Sequence, residues 1–199
     1  MTETEVIFLT TKKGAKIRIL TPSEYDRLIK VIEKDHLRTL LSVCLFTGMR
    51  YVEIRRLHQH PDYWLRERQV IYLDRSAQKK VKRTTPERWV PVVPQLQGEL
   101  PYFFKNKKPP VLKVWGENLK RWATAAGITT EGITPKMTRA SIETWMYVAD
   151  IPTNEICLRQ GHDKLTSLNH YQAISQAFTT AEIHEIKTRL AGWGGKHHD

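Results

Sequence analysis

Cysteine is nearly missing from this sequence: 199 residues carry two, Cys44 and Cys157, each alone inside an apolar helical pattern. With no C-x-x-C pair, they argue against a disulfide scaffold and a structural zinc, and a reducing compartment is expected. Long apolar runs are missing too. No stretch approaches the roughly 18 consecutive apolar residues of a spanning helix, and no cleavable signal opens the chain, so an intracellular protein with no membrane partner is expected. Internal repeats and low-complexity segments are also absent. Acidic residues are scarce: 21 Asp plus Glu against 32 Lys plus Arg leave a net charge of +11. That surplus points to a polyanionic partner, nucleic acid ahead of an anionic membrane surface. Apolar residues make up 40%, enough to build a core and to exclude wholesale disorder.

The pattern of what is there reads as mostly α with a small antiparallel β-sheet (α+β). Residues 5–20 read as two short extended runs around a Lys-Lys-Gly turn, within an N-terminal extended segment or linker over 1–20 ahead of one domain over 21–199. Thr21-Pro22-Ser23-Glu24 is a helix start with a capping box, and Tyr25, Leu28, Ile29 and Ile32 follow at helical spacing. Leu37, Leu40, Leu41, Cys44 and Leu45 predict a second helix stopped by Gly48, and a third begins around Arg50. Gln69 to Leu73 reads as a strand, with Trp89 to Val93 as its return partner and a basic hairpin tip, RSAQKKVKRTTPER, between them. Leu96 to Phe104 is a short apolar stretch. Further helices are predicted from Leu112 to Gly127, from Thr134-Pro135 through Val148, from Pro152 to Gly161, and from about Thr180 to Leu190.

Three distant segments are more specified than a core requires. In TGMRYVEIRRL (47–57), Arg50 and Glu53 lie three apart at a helix start, where backbone N–H groups and a guanidinium together suit a phosphate-like anion; a surface ion pair is the plainer alternative. In TPKMTRAS (134–141), Lys136 and Arg139 stand in a first helical turn, where the macrodipole disfavours cations unless an anion binds; a solvated basic face would also account for them. In RQGHDKLTSLNHYQ (159–172), His162 follows a helix-closing glycine, and Tyr171 lies nine residues later; a lone tyrosine in a polar helix is more plainly read as a packing residue.

Together these segments resemble the catalytic domain of the tyrosine recombinase (phage integrase) family over about residues 20–185. The first segment is similar to the family's box T-G-x-R-x-x-E-L/I-x-x-L, KMTR to H/K-x-x-R, and QGH with Tyr171 to L-G-H plus tyrosine, Gln160 standing where leucine is usual. The resemblance implies that Tyr171 is a nucleophile attacking a DNA phosphodiester to leave a 3′-phosphotyrosyl bond. Arg50 and Arg139 resemble the arginines gripping the scissile phosphate, and His162 the histidine that hydrogen-bonds it. Lys136 takes the second-box position and Glu53 that of the supporting carboxylate. The family's hairpin lysine stands about eight residues before the proline of an R-x-V-P motif, here RWVP at 88–91; Lys82 is the nearest match, with Lys80 and Lys79 as alternatives.

The chemistry suits these residue types. A phosphodiester under attack carries two negative charges, and arginine forks match two phosphate oxygens while staying charged. A free tyrosine, with a pKa of roughly 10, is about one part in a thousand ionised at neutral pH, so clustered cations favour its phenolate. Lysine can protonate the leaving alkoxide. Lys136, where histidine is commoner, leaves the proton acceptor open between itself and His162. Bond energy stored in phosphotyrosine means that no cofactor, ATP or metal is implied.

The expected function is therefore site-specific DNA recombination, integrating or excising a mobile element or viral genome on double-stranded DNA in the cytoplasm or nucleoid of a host cell. A homotetramer on DNA with weak self-association when free is expected. The family's N-terminal DNA-clamping domain is expected to be absent from this chain. Type IB topoisomerase-like or telomere-resolving activity, or a non-catalytic DNA-binding module, are the rival readings. The last helix, with Ile183, Ile186 and Leu190 on one face, packs either on its own core or on a neighbour.

Overall fold

The computed structural model describes residues 6–10, 14–75, 87–161 and 177–193. The extended runs near the start pair as the sequence suggests: β1 (Phe8–Thr10) lies antiparallel to β2 (Lys16–Arg18), with Leu9 opposite Ile17. Helix α1 (Pro22–Val31) opens on the expected capping box. The Thr21 hydroxyl accepts from the Glu24 N–H at 3.3 Å, and the Glu24 carboxylate accepts from the Thr21 N–H at 3.1 Å. The same carboxylate pairs with buried Arg18, which ties the helix start to β2.

Helix α2 (Asp35–Thr47) ends where Gly48 enters the left-handed region at φ 63°, and α3 (Tyr51–Gln59) begins three residues on. A second antiparallel sheet follows, in the order β3 (Trp64–Leu65), β4 (Val70–Leu73), β5 (Arg88–Pro91), with Ile71 opposite Val90. The two-residue β3 is an addition to the expected hairpin. The apolar stretch over Leu96 to Phe104 coils into α4 (Pro94–Gln97) and α5 (Glu99–Lys105), which bury Leu96, Leu100 and Phe103. Thr39 on α2 donates to Glu99 at 2.5 Å, fixing α5 against that helix.

The remaining helices are α6 (Leu112–Ala125), α7 (Met137–Val148), α8 (Thr153–Gln160) and α9 (Thr180–Arg189). Helix α7 starts two residues later than Thr134-Pro135 suggests. The Thr134 hydroxyl accepts from the Lys136 N–H at 3.3 Å, closing a local turn ahead of the helix.

One core joins these elements. Trp115 of α6 and Trp145 of α7 are fully buried, each worth about 3–5 kcal/mol against truncation to alanine. Trp145 Nε1 donates to the Leu20 carbonyl at 2.8 Å, and the Leu20 N–H donates to Ser141 Oγ at 2.8 Å, so α7 is pinned beside the end of β2. In α9, Ile186 is buried in that core, Leu190 just beyond the helix joins it, and Arg189 forks onto Asp26 of α1. The helix's apolar face therefore packs on its own chain. Among the described residues, no helix is long and apolar enough to cross a membrane.

Candidate active site

The turn that ends α2 is shaped by its own side chains. The Thr47 hydroxyl donates to the Val43 carbonyl at 2.6 Å and accepts from the Met49 N–H at 3.2 Å, while Gly48 supplies the left-handed step. This delivers Arg50 to the N-cap of α3 with Glu53 one turn in. Glu53 is not a surface partner; it is fully buried. One carboxylate oxygen accepts from Arg50 Nη1 at 3.0 Å. The other accepts from the Arg50 backbone N–H at 2.8 Å and from Arg88 Nη2 at 2.8 Å. Burial by itself would raise the Glu53 pKa, but Arg88, Arg50, the backbone donor and Arg139 outweigh it and hold the group at about 2. It is an anion at any working pH.

Arg88 is the residue that sequence reasoning passed over. In the sequence it reads as the end of an exposed basic tip and as a landmark for the hairpin lysine; it instead opens β5, where alternation puts it on the same face as fully buried Val90 and leaves Trp89 exposed. A buried arginine needs partners, and that alternation was the available signal. Its second nitrogen, Nη1, donates to the Gln160 carbonyl at 2.9 Å. Burial lowers its pKa, and the Glu53 carboxylate opposes that fall.

Arg139 reaches the same place from α7. Its Nη1 donates to the Gly48 carbonyl at 2.8 Å and its Nη2 to the Gln160 carbonyl at 2.5 Å, so Arg88 and Arg139 share one acceptor. Burial lowers its pKa to about 10, helped by the guanidiniums of Arg50 and Arg88 and opposed by Glu143 and Glu53. Three arginines thus crowd round one carboxylate and two carbonyls. Even with buried Glu143 acting on Arg139, three guanidiniums outnumber two carboxylates, and an anion docking on the half-buried sides of Arg50 and Arg139 would restore the balance.

Helix α8 is held against this cluster by Arg159. Its buried guanidinium donates to the Phe46 carbonyl and lies 4.5 Å from the centre of the Trp193 ring. Gly161, at φ 66°, closes the helix; a Cβ there would stand 2.8 Å from Arg88 Cδ. On the other flank, Tyr51 Oη donates to the Pro110 carbonyl at 2.9 Å and its ring stacks on Trp115. That anchors the loop after α5, which carries exposed Lys107 and Lys108, beside α3.

Of the residues singled out in the sequence, Arg50, Glu53 and Arg139 are brought together, and Lys136 stands exposed at the N-cap of α7, one turn before Arg139. His162, Tyr171, Lys79, Lys80 and Lys82 lie outside the described residues. Among the described residues, no three His, Cys, Asp or Glu side chains gather where they could hold a metal ion.

The sequence model of the phage integrase family matches residues 18–177, and the chain belongs to that family. Its fold is similar to that of XerA recombinase, at 17% identity and a TM-score of 0.61, covering 87% of this chain and 65% of that one. It is also similar to the Tn1549 transposon integrase in complex with circular intermediate DNA, at 17% identity and a TM-score of 0.64, covering 87% and 67%. A third likeness is to XerH recombinase in a post-cleavage complex with palindromic difH substrate, at 16% identity and a TM-score of 0.52, covering 87% and 52%. At such identities the likeness is one of fold. The chain spans about two thirds of XerA and half of XerH. No curated protein sequence matches it significantly.

Proposed function

We propose that this chain carries the active site of a site-specific DNA recombinase that cleaves and rejoins strands through a covalent bond to Tyr171. The observation that carries this reading is the meeting of Arg50 and Arg139, from distant helices, on the Glu53, Gly48 and Gln160 acceptors. In the reaction, Tyr171 Oη attacks phosphorus and the bond from phosphorus to the 5′-oxygen breaks. Arg50 and Arg139 hold the non-bridging oxygens as their charge grows, and His162 donates to the same phosphate. Lys82, or Lys80 or Lys79 beside it, gives the leaving 5′-oxygen its proton. The tyrosine proton passes to His162 or to Lys136 in its neutral form.

The 3′-phosphotyrosyl bond keeps the energy of the bond it replaces, so the 5′-hydroxyl of a partner strand reverses the step without ATP or a divalent metal. The substrate is double-stranded DNA, and strand exchange between two duplexes calls for a homotetramer on the DNA. Moving a mobile element or viral genome into or out of a host chromosome, inside the host cell, is the role this chemistry suits. Nicked suicide duplexes bearing candidate sites are expected to yield an SDS-stable adduct with the wild-type chain and none with Tyr171→Phe. An adduct that survives in Tyr171→Phe overturns the assignment.

A further inference from the structure

Gln160 is fully buried at the end of α8, and among the described residues neither its Nε2 nor its Oε1 has a hydrogen-bond partner. Leaving both ends of a carboxamide unpaired is costly, and a leucine of similar size would avoid that cost. The amide is also placed with care. Its Nε2 lies only 2.3 Å from where a Cβ on Gly48 would stand, so the missing side chain of Gly48 is what lets the amide approach. The carbonyl of the same Gly48 accepts from Arg139, and Gln160's own carbonyl accepts from Arg139 and Arg88.

We infer that Gln160 is a positioning residue, whose carboxamide takes over the Gly48 carbonyl when Arg139 turns toward a phosphate. Resting on the phosphate-gripping role proposed for Arg139, this adds an exchange of hydrogen bonds. Arg139 Nη1 leaves the Gly48 carbonyl for an anionic oxygen, and Gln160 Nε2 moves onto that carbonyl. The backbone ahead of Arg50 then loses no hydrogen bond on binding, and the orphaned amide gains one. With leucine at this position the Gly48 carbonyl would be bared each time an anion docks.

The test uses the full chain, inorganic phosphate at constant ionic strength, and a generic DNA duplex. Nitrogen-15 NMR follows the Arg139 side-chain signals and the Gln160 amide pair, the latter identified by its loss in Gln160→Leu. Both sets should shift on addition of either probe. Gln160→Leu and Gln160→Met should fold at least as stably as wild type while binding phosphate about 5- to 150-fold more weakly, the cost of one bared acceptor. Arg139 signals that move while the Gln160 amide stays still, or variants that bind phosphate as wild type does, overturn the inference alone. Arg139 signals that ignore both probes overturn the phosphate site itself, and the inference with it.

Discussion

Arg88→Met removes the deepest cation of the site while keeping most of its length. Glu53 would retain Arg50 and one backbone donor but lose its buried partner. Taking one member from a buried ion pair costs about 3–5 kcal/mol, because the remaining charge stays out of water. For a chain of 199 residues that corresponds to a fall in Tm of roughly 6–20 °C, at about 2–4 °C per kcal/mol. The pH dependence provides a second handle. Burial pushes the Glu53 pKa up, but Arg88 and the other donors pull it from 4.5 to about 2. A folded-state pKa below the unfolded one stabilises above about pH 4.5, and that stabilisation is lost as pH falls toward 2. At about 1.36 kcal/mol per pKa unit it is on the order of 3 kcal/mol. Without Arg88 the folded-state pKa of Glu53 rises, so there is less of this stabilisation to lose than in the wild type, and the gap between variant and wild type should narrow on acidification. Urea unfolding of both proteins from pH 7 down to pH 3 measures this. A gap under about 1 kcal/mol at pH 7, or one that stays constant across the range, refutes the reasoning.

Three further outcomes follow from the same geometry. Gly48→Ala must hold a left-handed φ of 63° and push a methyl into Gln160, so thermal unfolding should show a loss of at least about 1–2 kcal/mol. Arg139→Lys keeps a positive charge but loses the fork that meets two acceptors; adduct formation on a suicide duplex should fall by about 10²–10³, and a variant within twofold of wild type would contradict its role. DNA affinity should fall linearly on a log–log plot against salt. Neutralising Lys107 and Lys108 should flatten that slope by about one unit for each phosphate these lysines engage, whereas an unchanged slope places the DNA elsewhere.

Much of the fold was legible because the signals were local. The Thr21 capping box, the helical spacing around Trp115 and Trp145, and the left-handed glycines that close α2 and α8 are each decided within a few residues. Where two short helices share one apolar stretch, as in α4 and α5, no full helical period develops, and the pattern said only that the stretch is buried. A strand of two residues, β3, is likewise too short to carry an alternation.

The site divides the same way. The i,i+3 spacing at two helix starts, together with the resemblance to the family's boxes, marked Arg50, Glu53, Lys136 and Arg139 as candidates. Whether Glu53 faced water or the interior was beyond any local rule, since both readings place it on the same helical turn. Only packing β5 and α8 against α3 put Arg88 beneath that carboxylate and brought the Gln160 carbonyl to two guanidiniums at once. Helix periods and caps are short-range consequences of backbone geometry, and the sequence determined them by itself. The charge balance of the cluster belongs to the tertiary structure, because a buried ion's energy depends on which distant groups share its low-dielectric surroundings.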